Sequence, residues 1–193
     1  MIDDKELQIN KRLRESGIPP KFIDRTFENY VVKNDGQKNA LVAVRDLVAS
    51  MDSTGLILIG KPGTGKNHLS CAAISSLIKD KDKTGLITTA MKFVREIKES
   101  WRGGINESKV IRRHVKPDLL VIDEVGIQFG SDTERLYLNE IINERYEQLK
   151  PTILIGNVTM RQLGEQLGER VIDRFKEGGK VVVFDWESER GRV

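Results

Sequence analysis

The clearest chemistry in the chain lies in Gly60-Lys61-Pro62-Gly63-Thr64-Gly65-Lys66-Asn67-His68, preceded by the apolar run LILIG (56–60) and followed by an amphipathic stretch. Glycines at these spacings let successive backbone N–H groups curl toward one point, and a helix start adds a favourable field, which together suit phosphate oxygens. Lys66 then reaches the β- and γ-phosphates as a point charge. Such a loop must follow a strand and open a helix, and the flanking patterns supply both. Asn67 stands where a Ser or Thr hydroxyl ordinarily meets Mg²⁺, and an amide oxygen can still ligate the metal, directly or through water. An accidental glycine-rich turn would not bring strand, lysine and helix into register, so the segment reads as an ATP site.

Two further strand ends fit the same site. Leu119 to Glu124 (LLVIDE) is an apolar strand closed by two acids. Asp123 is positioned to hold Mg²⁺ and Glu124 to orient and polarise an attacking water. Asn157 closes the strand TILIGN and either senses the γ-phosphate and the lytic water or caps a turn. Arg170 and Arg174 stand one helical turn apart in GERVIDRFKEG, with Val171, Ile172 and Phe175 free to pack inward. The arginine pair either addresses a neighbouring subunit's phosphate or forms a solvated face.

The elements that must carry these residues follow from periodicity. Strands are expected at 56–60, Gly85 to Thr89, Leu119 to Ile122, Thr152 to Ile155 and Val181 to Phe184. Helices are expected at 4–16, Gln37 to Met51, Lys66 to about Lys79, 91–101, 107–115, 132–149 and 160–176. In the second of these, Leu41, Val42, Val44, Leu47 and Val48 are read as one buried side. Strands alternating with helices predict a doubly wound α/β domain with a mainly parallel sheet. Residues 1–30 read as an N-terminal extension, adaptor rather than core, and 31–193 as the nucleotide-binding domain.

The chain has 193 residues, 38% hydrophobic and 32% charged, which suits one soluble domain and excludes a disordered polymer. A net charge of +3 neither demands nor excludes nucleic acid. The single cysteine, Cys71, cannot form an internal disulfide and reads as a buried filler behind the phosphate loop. Nowhere does an uncharged apolar run approach membrane-spanning length, and no signal-peptide core is present, so a cytoplasmic protein without a membrane partner is expected.

Taken together, GKPGTGKNHLSCA, LLVIDEVG, ILIGN, LGERVIDRF and the closing FDWESERGRV resemble the AAA+ ATPase domain of DnaC-type helicase loaders of bacteria and phages. The asparagine after the loop lysine is typical of that family, and SGIPPKFIDRTFENYVVKNDGQKNAL is similar to its lead-in, so the resemblance runs from about Ser16 to Val193. It implies a P-loop NTPase of AAA+ type with strand order 5-1-4-3-2 and no separate lid domain. It also implies that Asn157 is sensor 1, Arg174 the arginine finger, Arg170 an interface arginine and Arg190 sensor 2. Such proteins hydrolyse ATP with Mg²⁺, self-assemble through the ATP site, bind single-stranded DNA and serve a replicative helicase of DnaB type. Family members place a helicase-binding domain before this segment, where only Met1 to Glu15 stand here. The chain therefore reads either as a motor fragment or as a shortened phage-type version.

Between the second and third strands, residues 91–116 hold Lys92, Arg95, Lys98, Arg102, Lys109, Arg112, Arg113 and Lys116 against Glu96, Glu99 and Glu107, a local charge of +5. These basic groups are candidate contacts to single-stranded DNA, whereas Phe93 and Trp101 either stack bases or pack into the core. Two rivals remain: an IstB-like transposase helper, and a nucleotide-switched binding module with negligible turnover. A small-molecule kinase would need an acceptor pocket and usually a basic lid, neither of which is legible.

Overall fold

The computed structural model describes residues 4–103, 106–126 and 132–190. Five strands, β1 (Gly55–Gly60), β2 (Gly85–Thr89), β3 (Leu119–Asp123), β4 (Thr152–Gly156) and β5 (Gly179–Phe184), form one sheet in the order β2-β3-β4-β1-β5. Every pairing is parallel, with Leu56 opposite Ile153, Val121 opposite Ile153 and Leu58 opposite Val182. Parallel strands need helical crossovers that cover both faces, which is why β1, β3 and β4 are near-continuous apolar runs. This is the order the resemblance implies, read from the other edge.

The strand alternation divides the interior in two. Leu56 and Leu58 face α2 (Asp35–Ser50) and α3 (Lys66–Asp80). Ile57 and Ile59 face the other layer, α4 (Ala90–Trp101), α5 (Glu107–Val115), α6 (Asp132–Glu147), α7 (Met160–Leu167) and α8 (Glu169–Gly178). Cys71 is fully buried in the first core, and burial pushes its thiol up to about 12, so it is inert filler as expected. The N-terminal α1 (Asp4–Glu15) has no fully buried residue, yet lays Ile9 and Leu13 against the first core. The chain then passes along the sheet edge, where the Ile87 N–H donates to the Ser16 carbonyl at 2.8 Å.

Two expectations about helices are corrected. In α2 the buried face is Gln37, Ala40, Val44, Leu47 and Val48, while Val42 is 47% exposed. Two residues from Ala40 and from Val44, Val42 lies about 200° around a helix from each, on the far side. The helix expected over 160–176 is two helices, because Gly168 at φ +88° breaks it into α7 and α8. A capping box between Thr159 and Gln162 starts α7, and Gly168 closes it through an N–H donated to the Gly164 carbonyl at 2.8 Å.

One buried cation holds the other end of the sheet. Arg145 of α6 is fully buried and donates to Thr152 Oγ1 at 3.0 Å, and to the carbonyls of Val115 at 2.8 Å, Pro117 at 2.7 Å and Pro151 at 2.7 Å. Longer bonds of 3.3 Å reach the carbonyls of His114 and Asp118. Burial pushes the guanidinium down to about 9, with Asp118 pulling it back up. Its acceptors are the last carbonyls of α5 and the segments that open β3 and β4, so one side chain ties three elements. Arg145→Met should strand several of these acceptors, each costing about 1–3 kcal/mol. Urea unfolding should show a loss of at least about 3 kcal/mol. Nucleotide affinity, set at the opposite strand ends, should be unchanged.

Candidate nucleotide site

The last residues of β1, β3 and β4 lie side by side, and the crevice beyond the carboxyl ends of parallel strands is where such sheets bind ligands. From β1 the chain turns through Gly60 at φ +125°, Gly63 at φ +77° and Gly65 at φ +102°, left-handed backbone that suits glycine, before opening α3 at Lys66. A Cβ on Gly65 would stand 2.8 Å from the Tyr30 ring, so the close approach of the lead-in demands glycine there.

Lys66 is only 5% exposed, and its Nζ donates to the carbonyls of Gly60 at 2.9 Å and Lys61 at 2.6 Å. Burial lowers its pKa from 10.5 to about 8; Asp123 opposes that shift and Arg190 adds to it. Thr64 Oγ1 also donates to the Lys61 carbonyl, at 2.8 Å. Asn67 Nδ2 donates to Asp123 Oδ2 at 2.6 Å, which brings the two expected metal-site residues together. Glu124 follows with φ +59°, its N–H donating to Asp123 Oδ1 at 2.7 Å, and its side chain is exposed. Asn157 stands exposed just beyond β4. His68 turns toward the lead-in: its Nε2 lies 2.9 Å from the Thr26 carbonyl and its ring meets Tyr30 at 5.1 Å. Burial lowers the His68 pKa, which favours a neutral imidazole.

These groups line a cleft of about 600 Å³ that includes Pro62 to His68, Asp123, Glu124, Asn157 and Arg190. Pro19, Lys21, Phe22 and Arg25 form another part of its wall. Sequence reasoning placed none of those four in the site, because Pro19-Pro20 reads simply as a helix stop. Gly60 and Lys61 contribute backbone carbonyls rather than cleft wall. Arg170 and Arg174 lie outside the cleft: Arg170 is exposed on α8, and the Arg174 guanidinium stacks over Tyr146 at 4.7 Å. An amide and a carboxylate beside a phosphate cradle form the sparse oxygen set that Mg²⁺ accepts together with phosphates and water.

On α4, α5 and the residues that cap their C-termini, the eight basic side chains from Lys92 to Lys116 are all exposed, and Arg113 pairs with Glu96 at 3.3 Å. The two aromatics separate. Phe93 is fully buried against His114, whereas Trp101 is 51% exposed, its indole donating to Glu107 Oε2 at 3.0 Å.

Sheet order and cleft define an ATP-binding P-loop protein of AAA+ type. The chain belongs to the IstB-like ATP-binding protein family, which matches residues 3–192. It is 36% identical over 195 residues to the replicative helicase loader DnaC of Escherichia coli K12, covering 99% of this chain and 79% of that one. DnaC of Buchnera aphidicola subsp. Baizongia pistaciae is 33% identical over 98% of this chain and 79% of its own. The crystal structure of the DnaC helicase loader matches with a TM-score of 0.77 at 25% identity, over 86% of this chain and all of that one. The replication initiator DnaA bound to AMPPCP and single-stranded DNA matches at 0.75 and 26% identity, over 88% of this chain and 51% of that one. The resemblance to DnaC-type loaders therefore stands, and the family bears the name of the rival reading. Among the described residues, no helix is long and apolar enough to cross a membrane.

A lysine grips phosphate only as a cation, and the depressed pKa of Lys66 puts its deprotonation within reach. As pH rises through about 8 the free site loses its charge, so ATP affinity should fall there by up to about tenfold per pH unit. Lys66→Arg, charged throughout, should bind without that inflection in a titration from pH 7 to 9.5.

Proposed function

We propose that this chain is the ATPase motor of a helicase loader, in which ATP holds adjacent copies together and the assembled copies grip single-stranded DNA beside a DnaB-type replicative helicase. The working unit is residues 31–193, with 1–30 as a lead-in. One observation carries the reading: the cleft gathers the phosphate loop, Asp123 and Glu124, Asn157 and Arg190, while Arg174 lies outside it. That arrangement suits a site completed by a second copy.

Within the cleft, the loop amides and Lys66 hold the phosphates, while Asp123 and the Asn67 oxygen hold Mg²⁺. Glu124 orients a water whose oxygen attacks the γ-phosphorus as the bond to ADP breaks, and Asn157 fixes that water. Arg190 meets the phosphates from the same chain. Arg174 and Arg170 of a neighbour supply charge where negative charge builds in the transition state. The exposed lysines and arginines of α4 and α5 bind DNA through its phosphates, and the open Trp101 ring offers a stacking face. Relatives named as replicative helicase loaders support the helicase as partner. A nucleotide-switched module is the second reading, because Asn67 already spends its amide N–H on Asp123 at the metal position.

A complementation experiment separates these. Arg174→Ala keeps an intact site without a finger, and Glu124→Gln keeps the finger beside a dead site. Each alone should lose most turnover, and mixing them should restore a substantial fraction, because the finger acts between copies. No recovery on mixing would refute an intermolecular finger. A wild type that binds ATP without releasing phosphate, with or without DNA, would favour the switch module.

A further inference from the structure

After β5 the chain does not leave the site but runs on against the phosphate loop. The Lys61 N–H donates to the Phe184 carbonyl, the Trp186 indole N–H to the Thr64 carbonyl and the Glu189 N–H to the Gly63 carbonyl, each at 2.9 Å. The tail is itself anchored. The Trp186 ring packs on Phe184 with centroids 4.7 Å apart, and against Gly36, where a Cβ would stand 2.9 Å from the indole. The Glu189 carboxylate takes Lys33 Nζ at 2.5 Å and Gln37 Nε2 at 3.3 Å, tying the tail to the start of α2.

These bonds act on the loop's amides through peptide geometry. A trans peptide is planar, with its C=O and N–H pointing to opposite sides, and the described residues contain no cis bond. Holding the Thr64 carbonyl therefore sets the direction of the Gly65 N–H, and holding the Gly63 carbonyl sets that of the Thr64 N–H. Thr64 and Gly65 both line the cleft. Glycines make this loop easy to turn over, since the Thr64–Gly65 peptide is flanked by a residue with little steric restraint. A loop that must present its N–H groups to phosphate needs an external restraint on its carbonyls.

We infer that Trp186 is a positioning residue for nucleotide binding: its indole N–H pins the Thr64 carbonyl and so aims the Gly65 amide at the phosphates. This rests on the reading of the cleft as a nucleotide site. Because the pinned peptide belongs to the cradle itself, its loss weakens ATP and ADP alike.

Trp186→Phe keeps a ring on Phe184 and Gly36 but removes the donor. Losing one neutral hydrogen bond should raise the dissociation constants of MgATP and MgADP roughly fivefold each, with the melting temperature little changed. A merely structural role would lower the melting temperature first. The chain has two tryptophans, so in Trp101→Phe the remaining indole reports on the loop. Its emission should shift on adding MgADP without DNA, with the midpoint found by equilibrium dialysis. Trp186→Phe binding both nucleotides as wild type would overturn the inference; should that variant not fold, an unmoved emission in Trp101→Phe at saturating MgADP would do so. Wild type and Lys66→Ala run alongside separate the two ideas: a wild type that binds no nucleotide sinks the reading of the cleft, whereas normal wild-type binding with an indifferent Trp186 sinks only this one.

Discussion

Parallel pairing of β1 with β4, and of β4 with β3, is the constraint on which the site depends. It sets the ends of three strands side by side, so the phosphate loop, Asp123 and Asn157 share one crevice although long stretches of chain separate them. A strand of one apolar run, covered on both faces, has little freedom to slip: shifting its register would drive the whole buried set against the wrong layer. The Asn67–Asp123 hydrogen bond of 2.6 Å then joins the helix after β1 to the end of β3. Arg145 secures β3 and β4 at their other ends, where no chemistry is needed and a rigid carbonyl staple is harmless.

The electrostatics of the crevice suit anions. Lys66 is buried among backbone carbonyls, with Arg190 near enough to depress its pKa further and Asp123 as the opposing charge. On the proposed reading, a triphosphate with Mg²⁺ would relieve that arrangement by supplying negative charge to the lysine and positive charge to the acid. The cation that an isolated chain keeps apart is Arg174, stacked on Tyr146. On the proposed reading, keeping it apart would tie turnover to assembly.

Much of this was legible in the residues. The phosphate loop announces itself because glycine spacing, lysine, strand and helix are all local, and the acids of β3 follow from an apolar run that stops abruptly. What depends on distant contact was not. Lys21 and Arg25 look like ordinary charges in an extended lead-in until the chain folds back over the cleft. Trp186 reads as part of a closing motif, with nothing to say that its indole bonds to Thr64. Arg145 has the appearance of one more charge on an exposed helix, since no local signal announces that carbonyls from three elements converge on it. The break at Gly168 was visible as a glycine, but an apolar period continuing on both sides concealed it.

Whether nucleotide state controls the grip on DNA is read most directly from the anisotropy of a labelled single-stranded oligonucleotide titrated with protein at fixed salt. Tight binding is expected with MgATP, weak binding with MgADP or no nucleotide, and weak binding for Lys66→Ala throughout. Equal affinity in all these states would contradict it and leave a DNA-binding surface unconnected to the cleft.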